Sequence, residues 1–242
     1  MCLEKNRINP RVSICLATYN GAKCIEAQLR SVISQLSELD EIVVSDDSST
    51  DNTLGIIASF KDTRIKIFTN ECDSGPVGNF ENAISHASGD IIFLCDQDDI
   101  WNANKINRHL EMHVNHDLVI SNAVVVDENH NVLFPSFFEA RGSKQGLFTN
   151  LLRNSYIGCC MSFNRSVLEA SLPFPRGIHM HDWWIGLVAE VKGKICFLKE
   201  PLMFYIRHDS NASDTLIKTL PFKEQLKNRA VLVRRLIPIL FK

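Results

Sequence analysis

No apolar run in the 242-residue chain approaches the roughly 18 to 20 residues that a membrane-spanning helix requires. The opening stretch MCLEKNRINPRVS has no long apolar core of the secretory type, so the chain is expected in the cytosol. There is no CxxC pair. Of eight cysteines, Cys15, Cys95, Cys159, Cys160 and Cys196 lie in apolar stretches, which predicts buried reduced thiols rather than disulfides. A basic excess is also missing: 26 Lys and Arg face 28 Asp and Glu, which argues against nucleic acid as the partner. The GxGxxG turn of dinucleotide sites is absent, against NAD or FAD. No internal repeat or disordered linker interrupts the chain.

What is present suits one sizeable domain, since 45% of the residues are hydrophobic. "VSICLA" (12–17) has strand character, and from Ala22 the residues Ile25, Leu29, Val32, Ile33 and Leu36 recur at helical spacing. The alternation continues. "EIVVS" (41–45) precedes a helix from about Asp51, "RIKIFT" (64–69) precedes one carrying Val77, Phe80, Ala83, Ile84 and Ala87, and "DIIFLC" (90–95) follows. This predicts an α/β fold with a mixed, mainly parallel sheet and helices on both faces. Beyond it, "LVISNAVVVDENHNVLF" predicts a strand and hairpin, 139–146 a polar loop, and "SYIGCCMSF" another strand.

Ligands of such sheets bind beyond the carboxyl ends of the strands, where "TYNG", "DDSSTD" and "DQDD" fall. In "FLCDQDDIW", Asp96, Asp98 and Asp99 crowd one strand end, and each carboxylate raises the cost of ionising the next. Such a cluster is either a solvated turn or a site for a hard cation, Mg²⁺ or Mn²⁺, shared with substrate phosphates. Ser48, Ser49 and Thr50 suit helix capping, but capping does not require Asp46 and Asp47, which can accept hydrogen bonds from a ribose or base. "SGPVGNF", with Gly75, Gly78 and Asn79, predicts a turn into a helix whose N-terminus can face an anion. His109, His113 and His116 lack the HExxH arrangement and predict a solvated helix face. In "GIHMHDWWIGLVAE", Asp182 is either a helix N-cap or a general base aimed at the DQDD site. His179 and His181 beside it are possible metal ligands. Trp183 and Trp184 can fill core, or one can present a flat face to a sugar.

Together, "VSICLATYNGA", "EIVVSDDSSTDNT", "NFENAISHASGDIIFLCDQDDIW", "HDWWIGLVA" and "FYIRHDSNAS" resemble the family 2 glycosyltransferases of the GT-A fold, particularly enzymes similar to bacterial rhamnosyltransferases of surface polysaccharide synthesis. The likeness runs from about Val12 to Ser213. It implies a GT-A domain over 1–213, with a nucleotide-sugar half at about 10–126 and an acceptor half at about 127–213. It also implies a nucleotide-diphospho-sugar donor, dTDP- or UDP-linked, a divalent metal and an inverting single displacement. Carried over by motif, Ala17 and Tyr19 line the base pocket, Asp46 and Asp47 meet base and ribose, and Asp96 and Asp98 form the DxD motif. Asp98 is the implied metal ligand, with Asp96 nearer the donor sugar or ribose. Gln97 and Asn79 join the donor-binding set, Asp99 and Trp101 shape the pocket, and Asp182 is the implied base, with Trp183 and Trp184 toward the acceptor. His208 completes the metal or diphosphate site. The family's usual order of arginine, spacer and histidine is altered here, because Arg207 directly precedes His208.

Residues 214–242 form a basic amphipathic tail that either lies on an anionic membrane or packs on the domain, with Pro238 expected to interrupt any helix there. The implied acceptor is a saccharide, lipid-linked at the inner face of a bacterial membrane. Alternatives are a catalytically silent nucleotide- or sugar-binding module and a Mg-dependent phosphotransferase using Asp96. Against the latter, Ile100 stands where a DxDxT motif needs Thr.

Overall fold

A computed structural model of the chain describes residues 10–208 and 221–240. The apolar run after Arg11 forms β1 (Val12–Thr18), buried at all positions but Ala17. It leads into α1 (Ile25–Ile33), whose buried face of Ile25, Gln28, Leu29 and Val32 follows helical spacing. β2 (Glu41–Asp46), α2 (Thr53–Ser59), β3 (Ile65–Thr69), α3 (Pro76–Ser85) and β4 (Ile91–Asp96) complete the alternation.

β1 pairs in parallel with both β2 and β4, and β3 lies outside β2. The chain therefore steps outward from β1 to β3 and then crosses back to place β4 on the other side of β1. Right-handed crossovers put α1 and α2 on one face and α3 on the opposite face. The strand order reverses between β1 and β4, the place where open α/β sheets bind ligands.

The second half extends the sheet with β5 (Ile100–Trp101), β6 (Leu118–Asp127), β7 (Val132–Phe134), β8 (Met161–Asn164) and β9 (Ile195–Arg207). The nine-stranded order is β3-β2-β1-β4-β8-β6-β9-β5, with β7 paired to β6. β8 is antiparallel to both neighbours, while β9 runs parallel to β6 and antiparallel to β5. The α4 helix (Lys105–His113), α5 (Phe137–Arg141), α6 (Leu147–Leu152), α7 (Arg165–Ser171), α8 (His181–Lys192) and α9 (Phe222–Leu240) pack around it. Phe80, Phe93 and Phe163 lie fully buried in the continuous core. The described cysteines are free, and Cys15, Cys95, Cys159 and Cys160 are buried as expected, whereas Cys196 is only half-buried.

Several expectations need correction. The 139–146 loop begins as α5, because Ser136 accepts a hydrogen bond from the Glu139 N–H and caps it. Only the last three residues of "SYIGCCMSF" are strand, opening β8; Gly158–Cys160 is a 3-10 turn. Ser48, Ser49 and Thr50 do not cap α2, whose N-cap is Asn52. Pro238 does not end α9, which continues to Leu240: the proline falls in the last turns, while Leu232 and Leu236 anchor the preceding ones in the core. Of the expected tail, residues 214–220, 241 and 242 lie outside the described residues.

The histidines of α4 are not a solvated face either. His109 is fully buried and its Nδ1 lies 2.7 Å from Ser162 Oγ, as does His113 Nε2. His113 Nδ1 faces the His116 carbonyl at 3.0 Å and must donate to it, so Nε2 accepts the Ser162 proton while His109 donates to the same hydroxyl. Both rings are thus neutral. Burial holds His109 well below its ordinary value and His113 at about 4. With folded-state values depressed, the stability they contribute is complete above about pH 6.5 and falls as pH drops below it, for His113 at up to about 1.4 kcal/mol per unit down to about 4. Urea midpoints measured from pH 7 to 4 should follow that slope. Ser162→Ala should cost about 1 to 3 kcal/mol at pH 7 by leaving both rings without their partner.

Candidate active site

Strand register assembles the site. Ala17 lies opposite Ser45 on one side and Asp96 on the other, and Thr18 lies opposite Asp46. The carboxyl ends of β2, β1 and β4 therefore form one row. Asp46 is buried, its Oδ1 accepting from Thr18 Oγ1 at 2.9 Å and Ser49 Oγ at 2.6 Å, and its Oδ2 from the Ser49 N–H at 2.8 Å. Asp47 accepts from Asn70 Nδ2 at 2.8 Å and from the Gly75 N–H at 2.7 Å. Gly75 has φ of 101°, a left-handed conformation that glycine adopts without strain, and from it the chain enters α3 at Pro76. Asn79, on the first turns of α3, is buried and donates to the Thr18 carbonyl at 3.0 Å.

Tyr19 is 56% exposed at the rim. Its backbone is clasped by Gln97, whose Oε1 accepts from the Tyr19 N–H and whose Nε2 donates to the Tyr19 carbonyl, both at 3.0 Å. The carboxamide passes so close to Gly21 that a Cβ there would lie 2.3 Å from Oε1. Gln97 is thus a brace between the loops after β1 and β4.

The acids converge beyond β4. Asp98 Oδ2 and His208 Nε2 are 2.7 Å apart, joining residues 110 positions apart in sequence. The pairing of β5 with β9 makes this possible, because it brings the end of β9 back over the acid loop. Asp99 is buried, with one oxygen accepting from the Ile206 N–H at 3.1 Å. Burial, then the charges of Asp98 and Asp182, raise Asp96 to about 7. Asp182 itself is raised to about 6 by burial, against the lowering effect of the Trp183 and Gly158 N–H groups that it accepts from at 2.6 and 3.1 Å. It stands in the first turn of α8, whose N-cap is Met180, so it is not the N-cap residue.

Crowded carboxylates with elevated proton affinity and an imidazole alongside form an oxygen- and nitrogen-rich donor set that fits a hard divalent cation. Asp96, Asp99 and Cys159 also hold ligand atoms within 4.8 Å of one another. That grouping is the poorer one. Burial pushes the Cys159 thiol well up, keeping it neutral, and Asp99 is engaged with the β9 backbone.

Trp183 and Trp184 are core residues, 8% and 2% exposed, with indole N–H groups donating to the Asn150 and Ser171 carbonyls at 2.8 and 2.9 Å. This corrects the expectation that one of them faces an acceptor sugar: the apolar side of α8 needs both to close the core. His179 is exposed, while His181 is buried and stacks on Phe80 with ring centroids 4.1 Å apart, so the two do not form a metal pair. Trp101 is buried under the site and packs against Phe93.

Lys105 and Arg141 escaped the sequence analysis. Lys105 is fully buried, donating to the Cys159 carbonyl at 2.6 Å with its ammonium 4.0 Å from the centre of the Trp101 ring. The one available signal is that Lys105 and His109 occupy the inward stripe of α4 beside Ile106, where apolar residues belong. Arg141 lies close enough to Asp182 to favour its ionised form and donates to the Asn154 carbonyl at 3.2 Å. Nothing in "FFEAR" marks it.

The profile described as "Glycosyl transferase family 2" matches residues 13–172. The chain belongs to this family. It is 33% identical over 178 residues to the Escherichia coli UDP-Glc:alpha-D-GlcNAc-diphosphoundecaprenol beta-1,3-glucosyltransferase WfgD, covering 73% of this chain and 68% of that one. To the Shigella flexneri dTDP-rhamnosyl transferase RfbG it is 30% identical over 214 residues, covering 81% and 72%. Among solved structures, Staphylococcus aureus TarS (residues 1–349) with UDP-GlcNAc superposes with a TM-score of 0.69 at 19% identity, over 95% of this chain and 70% of that one. The mannosyltransferase PcManGT of Pyrobaculum calidifontis, with GDP-Man and Mn²⁺, gives 0.63 at 18% identity, over 97% and 69%. The fold is GT-A, as the sequence resemblance implies.

Gln97→Leu, which removes both bonds to the Tyr19 backbone, should lower stability by about 1 to 2 kcal/mol in urea unfolding. Gly21→Ala should act in the same direction, because its Cβ would displace the carboxamide.

Proposed function

We propose that the chain transfers a sugar from a nucleotide-diphospho-sugar to a hydroxyl of a saccharide acceptor, inverting the anomeric carbon. The observation that carries this reading is the convergence of Asp96, the Asp98–His208 pair and Asp182 at the switch point between β1 and β4. Asp98 and His208, with Asp96 beside them, would hold Mg²⁺ or Mn²⁺. Bound there, the cation supplies Lewis acidity and charge neutralisation to the leaving diphosphate. Mn²⁺ in the PcManGT structure supports the choice of ion.

The loops after β1 and β2, with Ala17, Tyr19, Asp46 and Asp47, bind the nucleoside. Gln97 keeps Tyr19 in place for it, and Asn79 holds the end of β1. Asp182 takes the proton from the attacking hydroxyl, and its value near 6 leaves it ionised at neutral pH yet basic enough for the task. The names of WfgD and RfbG support a UDP- or dTDP-linked donor, and that of WfgD a lipid-linked saccharide acceptor. The reaction then belongs to bacterial surface polysaccharide synthesis at the inner face of the membrane.

Thermal shift with Mn²⁺ and UDP or dTDP tests the donor half: saturation near 100 times Kd should stabilise the wild type by about 2.7 kcal/mol. Asp98→Ala should abolish the metal-dependent part. An unchanged response from that variant refutes the metal assignment. Asp182→Asn should retain the nucleotide response while turnover falls at least about 100-fold. Wild-type kcat/KM should fall as pH drops below about 6, because protonated Asp182 cannot accept the hydroxyl proton. Product anomeric configuration, read by NMR, tests inversion.

A further inference from the structure

The sequence leaves open whether the basic C-terminal segment packs on the domain or lies on a membrane, and the structure shows a helix with one face for the domain and another face uncovered. Gln225, Leu232, Leu236 and Ile239 turn inward, and Leu232 and Leu236 are buried. A second apolar stripe, Leu226, Ala230, Val233, Ile237 and Leu240, recurs at steps of 4, 3, 4 and 3 and is exposed. Lys223, Lys227 and Arg234 run along its outer border at 100° per residue, all exposed.

α6 continues this surface. Its Phe148 and Leu152 are 80% and 67% exposed, one helical turn apart. Arg229 of α9 donates to the Leu152 carbonyl, which places the end of α6 against α9, and the exposed Arg153 follows. Apolar side chains of this size in one uncovered patch mark an interaction surface.

We infer that the exposed stripe of α9 together with Phe148 and Leu152 of α6 forms a docking face for an anionic lipid surface. Charge chooses this occupant over a second copy of the chain. The 4-3 spacing suits a helix partner, but twofold pairing would bring the Lys223, Lys227 and Arg234 border of each copy against the same cations. An anionic headgroup layer meets those cations while the stripe enters the acyl boundary. The inference deepens the proposed function by naming the surface that brings the enzyme to its acceptor. α6 is tied to the helix that carries Asp182, since its Asn150 carbonyl accepts from the indole N–H of Trp183.

Vesicle co-sedimentation without donor or metal keeps this test independent of the catalytic reading. Wild-type protein should sediment with phosphatidylglycerol-containing vesicles and at least tenfold less with pure phosphatidylcholine. Phe148→Ser with Leu152→Ser, and separately Lys223→Glu with Lys227→Glu, should each weaken binding tenfold or more while the circular dichroism spectrum and turnover of a soluble acceptor stay unchanged. Wild-type protein left in the supernatant, or an α6 double variant that binds as wild type does, overturns the inference. So does a concentration-dependent dimer in sedimentation velocity that Ile237→Ser dissociates, which would assign the face to a second copy.

Discussion

Like charge held out of water is the constraint around which this molecule is arranged. Asp96, Asp98, Asp99 and Asp182 meet in a largely buried space, where each ionised carboxylate opposes the next. Stabilisation comes from distant parts of the chain. Asp98 is met by His208, Asp99 by the Ile206 N–H and Asp182 by the Gly158 N–H, so β9, the 3-10 turn and the first turn of α8 must all be in place. The site is therefore a product of the whole sheet rather than of one loop, and Asp96 and Asp99 show the residual strain in their raised proton affinities.

The two halves of the sheet serve this end differently. Parallel strands β1, β2 and β4 align their carboxyl ends, and the register of Ala17 with Asp96 sets the depth of the crevice. The mixed half returns a strand toward the crevice from the far side, through the short β5–β9 pairing. The stack of His181 on Phe80 ties α8 to α3, fixing Asp182 relative to the first half. A cationic His181 would be poorly placed there, and burial lowers it to about 3.

Much of this was legible in the sequence where local pattern and tertiary role agree. Residues 12 to 96 alternate strand and helix because buried parallel strands must be apolar and their covering helices amphipathic. The polar clusters fell at strand ends for the same reason. Legibility failed where side chains answer to partners far away in sequence. The α4 histidines looked solvated because nothing nearby announces Ser162, and Trp183 and Trp184 looked available because the Asn150 and Ser171 carbonyls that hold them are equally remote. The position of His208 beside Asp98 followed from resemblance, since no periodicity links residues so far apart.

Lys105 adds a consequence of its own. An ammonium fully enclosed would ordinarily be matched to a carboxylate, yet this one rests on a carbonyl oxygen and an indole face. Its positive potential reaches Asp96 through space without occupying any of that residue's lone pairs. The protein thus softens the repulsion at the crevice electrostatically, with a cation that bonds to a backbone carbonyl and not to the carboxylates themselves.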